Sequence, residues 1–458
     1  MDNYTQTNSF QKEKSINPAR NASVKILNKI ERSGSYIDKL VSYELNSEEL
    51  STQDKALLQE LVYGVTRWKS KLDWVLIGFF HGDFQKCFNY VKNVMRVGLY
   101  QILYLDKVPS HAAIDEAVEM VKRKQGRKTA ALVNGVLRNI SRNIQNIRYP
   151  KPNEDRAFYL AVMESHPKWM VERWIERFGE TETIKLLEHN NRIPDNILRV
   201  NEKEISTSDI EKLLVENKVD YSISPYLSSS IKILNHSIKI PSTDIFKSGK
   251  VTVQDTSASL VCKLAYPQKN TRILDCCAAP GGKSLFLAEL AGDEAEIIAL
   301  DKFEARVEMI NQAVVRMGYE SIIPTHGDIK TYKSKEQFDL VLLDVPCSGH
   351  GVLAKKPDIK WTSTKTDLYN LINYQKLLLE KAAKHVKVGG VLLYSTCSLE
   401  TEENSGVALH FLENNKDFEL DSANNYLTDE LCSDGFLQTF PQKHGIDGAF
   451  GARFIRKK

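Results

Sequence analysis

The sequence contains no CxxC pair and no Cys/His spacing that suits zinc, although it carries seven cysteines and ten histidines. An odd number of irregularly placed cysteines argues against a disulfide framework and for a reducing compartment. Long apolar runs are missing as well. The richest, LDWVLIGFF, is too short to cross a bilayer, and the opening MDNYTQTNSFQKEKS lacks the apolar centre of a signal peptide. The expectation is a cytoplasmic protein with no metal site and no membrane partner. Internal repeats and low-complexity tracts are absent too.

What is present is ordinary for a globular chain: 42% hydrophobic and 26% charged residues. A length of 458 residues predicts two or three domains. The net charge of +3 conceals an asymmetry: +8 over residues 1–150, −1 over 151–250 and −4 over 251–458. A basic N-terminal part beside an acidic remainder points to an anion-binding module joined to something else.

Residues 1–17 read as a disordered tail. Over 18–148 apolar residues recur at helical spacing, among them Leu57, Leu58, Leu61 and Val62, then Leu72, Val75, Leu76 and Phe79. Two further helical patterns flank Gly126. The cations around it, Lys122, Arg123, Lys124, Arg127 and Lys128, are the candidate phosphate-binding residues. Tyr149–Pro152 opens a small α+β linker unit over 149–247. From 248 to 458 the strands RILDC, EIIALD, SIIPT, DLVLLD and VLLYS alternate with helical segments. That alternation predicts a doubly wound, Rossmann-like α/β domain.

In such sheets ligands sit at the carboxyl ends of the strands. RILDCCAAPGGKSLFLAEL is a strand, a glycine turn and a helix. Gly281 and Gly282 let the backbone approach a ligand, and the helix start offers unpaired N–H groups. It is neither a full G-x-G-x-x-G nor a Walker A loop. Asp301 ends the next strand, where a carboxylate grips ribose hydroxyls. Asp328, in HGDI, follows the third strand and suits an adenine edge. Together they describe a nucleoside site. Each acid taken singly also fits a turn or helix cap.

Two later strands end in thiols, in DVPCSGHG and STCSLETEEN. In order, CAAPGGK, LDVPCSG and STCS resemble the signature of the Nop2/Sun family of RNA cytosine-C5 methyltransferases. LVYGVTRWKSKLDWVL, VPSHAAIDEAVEMVK and LVNGVLRNI resemble a NusB-like RNA-binding domain. SHPKWMVERWIERFG and NNRIPDNILRVN resemble the linker of the bacterial 16S rRNA branch.

The resemblance implies that Cys277, Ala278, Ala279, Pro280, Gly281, Gly282 and Lys283 form the S-adenosylmethionine loop, with Asp301 on the ribose and Asp328 on the adenine. Asp344 would face the sulfonium and the target base. Cys397 would be the nucleophile and Cys347 the helper in product release. The implied partner is 16S ribosomal RNA, free or in a small-subunit assembly intermediate, modified at cytosine 967 by a monomer. Departures are Val345, Ser284 and His350, the last expected at the rim of the pocket.

Two thiols suit this chemistry. Cytosine C5 is a poor nucleophile until a thiolate adds to C6. An acid must then hold the N3–N4 edge, and a second group assists elimination. Two alternatives stay open at this point: methylation of tRNA or 23S rRNA, and a NusB-like RNA-binding factor with a relictual methyltransferase domain.

Overall fold

The computed structural model describes residues 16–33, 37–47, 50–235 and 238–458. The expected tail lies almost wholly outside them. The chain forms two units: one holds residues up to Asn191 together with Lys356–Thr362, the other Arg192–Lys355 and Ser363–Lys458. Among the described residues no helix is long and apolar enough to cross a membrane.

The first unit is helical. Its longer helices are Pro18–Ser33, Thr52–Arg67, Lys69–Phe79, Asn89–Tyr104, Ser110–Arg142, Lys168–Phe178 and Glu180–Asn190. The helical periodicity holds: Leu58, Leu61, Val62, Leu72, Val75 and Leu76 are all buried in one core. Ser51 caps its helix by accepting from Asp54 N, which satisfies one of the first-turn donors. Gly64 lies against the Tyr100 ring, where a Cβ would come within 2.1 Å of it. The two patterns around Gly126 are one helical span broken there, at φ 81° and ψ 172°, a conformation that favours glycine.

The returning stretch Lys356–Thr362 completes this unit. Lys360 is fully buried. Its Nζ donates to Arg67 O at 3.1 Å, Ser165 O at 3.0 Å and Asn191 Oδ1 at 3.0 Å. Burial, with Arg67 nearby, pushes the ammonium pKa well below the ordinary lysine range. Trp361 Nε1 donates to Thr66 O at 2.6 Å.

The second unit holds two sheets. The smaller pairs β1 (Asn196–Val200), β2 (Tyr221–Ser224), β3 (Leu227–Ile233) and β4 (Val251–Val253) in the order β2-β3-β1-β4. Ile210 and Leu214 of helix Thr207–Glu216 pack on Leu198, Val200, Ile231 and Ile233 of this sheet.

The larger sheet contains β5 (Arg272–Asp275), β6 (Glu296–Asp301), β7 (Ile322–His326), β8 (Phe338–Asp344), β9 (Val386–Thr396), β10 (Phe418–Asp421), β11 (Cys432–Ser433), β12 (Phe436–Gln438) and β13 (Phe450–Arg456). Its order is β11-β12-β13-β9-β8-β5-β6-β7, with β10 on β13. The five expected strands form the parallel run β9-β8-β5-β6-β7. Pro324 sits in β7 at the sheet's edge, where a missing N–H is tolerated. Beyond β9 the sheet turns antiparallel, which the strand–helix alternation did not reveal. β11 and β12 are two and three residues long, too short for a readable period.

The sheets are joined by buried polar groups. Arg199 of β1, fully buried, donates from Nε to Gln254 Oε1 at 2.7 Å and pairs with Glu289 of helix Gly282–Leu290. Asn201 donates to Met317 O at 3.0 Å and accepts from Tyr319 OH at 2.7 Å.

Candidate active site

Each strand of the parallel run delivers one part of the site at its carboxyl end. After β5, Ala278 N donates to Leu300 O at 2.9 Å, and Gly281 N donates to Ala278 O at 2.7 Å. Gly281 stands at φ 103°, so the tight turn requires glycine there. Helix Gly282–Leu290 begins immediately after it. Asp275, the last residue of β5, is buried and accepts from Ser284 Oγ at 2.6 Å. Burial pushes its carboxyl pKa up to about 7 against that hydrogen bond, with Asp344 adding repulsion.

Asp301 follows at the end of β6. It is buried and accepts from Phe303 N at 3.0 Å and, more distantly, from Ala279 N at 3.4 Å. Asp328, after β7, accepts from Lys330 N at 3.0 Å and has Lys302 Nζ at 3.4 Å. Burial raises its pKa, but the Lys330 amide and the two lysines hold it below the usual carboxylate value. Both acids therefore also do the local turn work that the sequence left open.

Lys283 Nζ donates to Asp344 Oδ2 at 2.7 Å, and Ser395 Oγ donates to Oδ1 at 2.7 Å. Burial alone would lower the Lys283 ammonium pKa; Asp344 overrides it and holds it above the ordinary range. Asp344 ends β8 and lies opposite Ser395 of β9. This register places the two following loops side by side. Cys347 Sγ lies 3.1 Å from Cys397 Sγ, and Cys397 N donates to Cys347 Sγ at 3.3 Å. The Cys347 thiol pKa is pushed well above its usual value by the hydrogen bond with Cys397, then by burial and by Glu403. No disulfide joins any two of the seven cysteines.

The loops are held from beneath. Gly351 N donates to Cys397 O at 3.0 Å, and Gly448 N to Gly351 O at 2.9 Å. A Cβ on Gly351 would come within 2.4 Å of Gly448 O. His350 is not at the rim of the pocket, as expected, but fully buried. Its Nδ1 pairs with Glu400 Oε1 at 2.8 Å and its Nε2 with Ser363 Oγ at 3.1 Å. The loop turns its ring inward, where Glu400 supplies the partner a buried imidazole needs.

The structure thus brings Cys277–Lys283, Asp301, Asp344, Cys347 and Cys397 to one end of the sheet, with Asp328 beside them. Lys122, Arg123, Lys124, Arg127 and Lys128 belong to the other unit, exposed on both sides of Gly126. Within it Arg123 Nε donates to Glu119 Oε1 at 2.8 Å, and Lys124 lies over the Tyr90 ring. The sequence reading missed Asp275, Ser395 and Glu403. The first two adjoin strand ends, and the acids of LETEEN follow the second cysteine directly; polar residues in those places were the available signal.

Comparison with known proteins bears on this arrangement. A family model for the 16S rRNA methyltransferase RsmB/F matches residues 262–455. A NusB family model matches 17–142, and one for an RsmF/B-like ferredoxin-like domain matches 166–239. The probable ribosomal RNA small subunit methyltransferase B of Bacillus subtilis is 35% identical over 439 residues, 94% of this chain and 97% of that protein. The chain belongs to the 16S rRNA methyltransferase RsmB/F family.

It is accordingly an S-adenosylmethionine-dependent RNA methyltransferase with a NusB-like helical domain. The ribosomal RNA small subunit methyltransferase B of Cronobacter sakazakii is 34% identical, covering 89% of this chain and 92% of that protein. A crystal structure of a methyltransferase homologue from Pyrococcus horikoshii, 27% identical, covers 67% of this chain and 100% of its own, with a TM-score of 0.58. The residues fit the cofactor: a left-handed glycine turn, a bare helix start, and acids suited to a cationic nucleoside.

Proposed function

We propose that this enzyme methylates C5 of a cytosine in 16S ribosomal RNA, with Cys397 as nucleophile. The observation that carries the reading is the thiol pair at 3.1 Å, beside Asp344, at the ends of neighbouring strands. Methylation of an exocyclic amine has no use for two thiols in contact.

S-adenosylmethionine supplies an electrophilic methyl group carried on a sulfonium sulfur. Gly281 and the start of helix Gly282–Leu290 receive it, Asp301 binds its ribose hydroxyls and Asp328 its adenine edge. Cys397 Sγ adds to C6 of the base, which makes C5 nucleophilic. Asp344 holds the N3–N4 edge. In the structure its Oδ2 accepts from Lys283 Nζ and its Oδ1 from Ser395 Oγ. Cys347 then assists loss of the C5 proton and cleavage of the C6–S bond.

Residues 18–148 serve as the RNA-binding domain through Lys122, Arg123, Lys124, Arg127 and Lys128, residues 149–247 as linker and 248–458 as catalytic domain. The enzyme acts in the cytoplasm as a monomer, on cytosine 967 of free 16S rRNA or of a small-subunit assembly intermediate. Bisulfite sequencing of total RNA from cells with and without the protein tests the target. One cytosine of 16S rRNA should lose its protection when the protein is absent; unchanged 16S rRNA, or a lost signal in tRNA or 23S rRNA, would overturn the assignment.

A further inference from the structure

Three donors converge on one carboxylate beneath the thiols. Glu403 is fully buried. Its Oε1 accepts from Ser348 N at 2.8 Å and from Gln375 Nε2 at 2.8 Å, and its Oε2 accepts from Ser398 Oγ. Gln375 Nε2 also donates to Pro346 O at 3.0 Å, and the Ser348 and Ser398 hydroxyls meet at 2.9 Å. The side chain therefore binds the residue after each cysteine and, through Gln375, the residue before Cys347.

The backbone around Glu403 is anchored independently. Tyr394 OH donates to Glu403 O at 2.6 Å, while Asn404 accepts from Thr396 Oγ1 at 2.6 Å and donates to Ser398 O at 2.9 Å. A buried carboxylate is costly unless its oxygens are satisfied. Here two of the donors that satisfy it come from the two cysteine loops and the third, Gln375, also holds Pro346.

We propose that Glu403 is a positioning residue, which locks the Cys347 and Cys397 loops in register so that the two thiols stay in contact. It acts on the reaction through its neighbours. The proposal rests on reading these thiols as the reacting pair, but its deciding readout, capture of an arsenical, needs neither RNA nor methyl donor, so the two readings fail separately.

The probe is phenylarsine oxide, which bridges two thiols held within reach. The arsenic–oxygen bond gives way to two As–S bonds, and the oxygen leaves with the two thiol protons as water. The wild-type chain should take up one tightly held equivalent that Cys347→Ala and Cys397→Ala both lose. Glu403→Ala should bind it roughly tenfold or more weakly, with S-adenosylmethionine affinity unchanged and kcat reduced.

Glu403→Gln can keep all three contacts, its amide oxygen on Ser348 N and Gln375 and its NH2 on the Ser398 hydroxyl. It should stay within about threefold of wild type. Should Glu403→Ala not fold, Ser398→Ala severs one arm and should weaken capture by about threefold. Wild-type capture by Glu403→Ala or by Ser398→Ala would overturn the proposal. So would a Glu403→Gln variant as weak as Glu403→Ala, because the loss would then follow the charge and not the bridge.

Discussion

Cys347 Sγ stands 3.1 Å from Cys397 Sγ although the two residues are 50 positions apart in the chain. The contact follows from sheet register: Asp344 pairs with Ser395, and Val345 N donates to Ser395 O at 3.0 Å. Register alone thus sets the two thiols side by side.

Replacing each thiol separates the two proposed roles. Cys397→Ala should abolish both methylation and any covalent RNA adduct. Cys347→Ala should still attack C6 and then stall before elimination, leaving a slow band on a denaturing gel that nuclease removes. An adduct trapped by Cys397→Ala would exchange the two assignments, and activity in both variants would remove covalent catalysis altogether.

Asp301→Ala should lose the ribose hydrogen bonds. A bond to a charged group contributes roughly 1.5–3 kcal/mol, so S-adenosylmethionine affinity should fall on the order of tenfold to a hundredfold. Titration calorimetry measures this directly; an unchanged dissociation constant would place the ribose elsewhere.

Asp275 predicts a pH dependence of stability. Its folded pKa of about 7 lies above the usual carboxylate value, so the folded chain holds this proton more tightly than the unfolded chain does. The stability from this group is complete below the unfolded pKa, about 3.9, and is lost as pH rises to about 7. Asp275→Asn cannot titrate. Relative to wild type it should gain stability between pH 5 and pH 8, by on the order of 2–3 kcal/mol. Urea unfolding at both values decides: an equal difference at each pH would mean that Asp275 does not titrate in this range.

Reversing Lys122, Arg123 and Lys124 to Glu should weaken RNA binding while leaving cofactor binding intact. The slope of log affinity against log salt should become shallower by about 2, at roughly 0.7–0.9 for each phosphate no longer neutralised. A filter-binding series that returns the wild-type slope would reduce the patch to a solvated face.

The fold and the site were legible to different depths. Helical spacing located Leu58, Leu61, Leu72 and Val75 because burying one stripe forces that period. The parallel strands were legible because burial on both faces makes them continuous apolar runs. The C-terminal antiparallel strands were not: β11 and β12, two and three residues long, carry no period, and only a four-residue helix separates β12 from β13. The cysteine loops announced themselves by residue type, whereas Glu403 did not. A buried acid in TEEN looks like any solvated acid until its donors, which come from distant positions, are brought to it. His350 misled for the same reason: sequence gives the residue but not the side of the loop it occupies.

The stretch Lys356–Thr362 makes the two units inseparable in inheritance. It lies between β8 and β9 in the chain yet completes the helical unit, where Lys360 donates to Arg67 O, Ser165 O and Asn191 Oδ1. A gene cut after residue 191 would yield a helical unit without this plug, its three acceptors facing an empty slot. The remaining fragment would carry a lysine and a tryptophan stripped of their seats. A single recombination crossover at that boundary can thus exchange neither unit intact, and partners that descend together are the ones expected to fit.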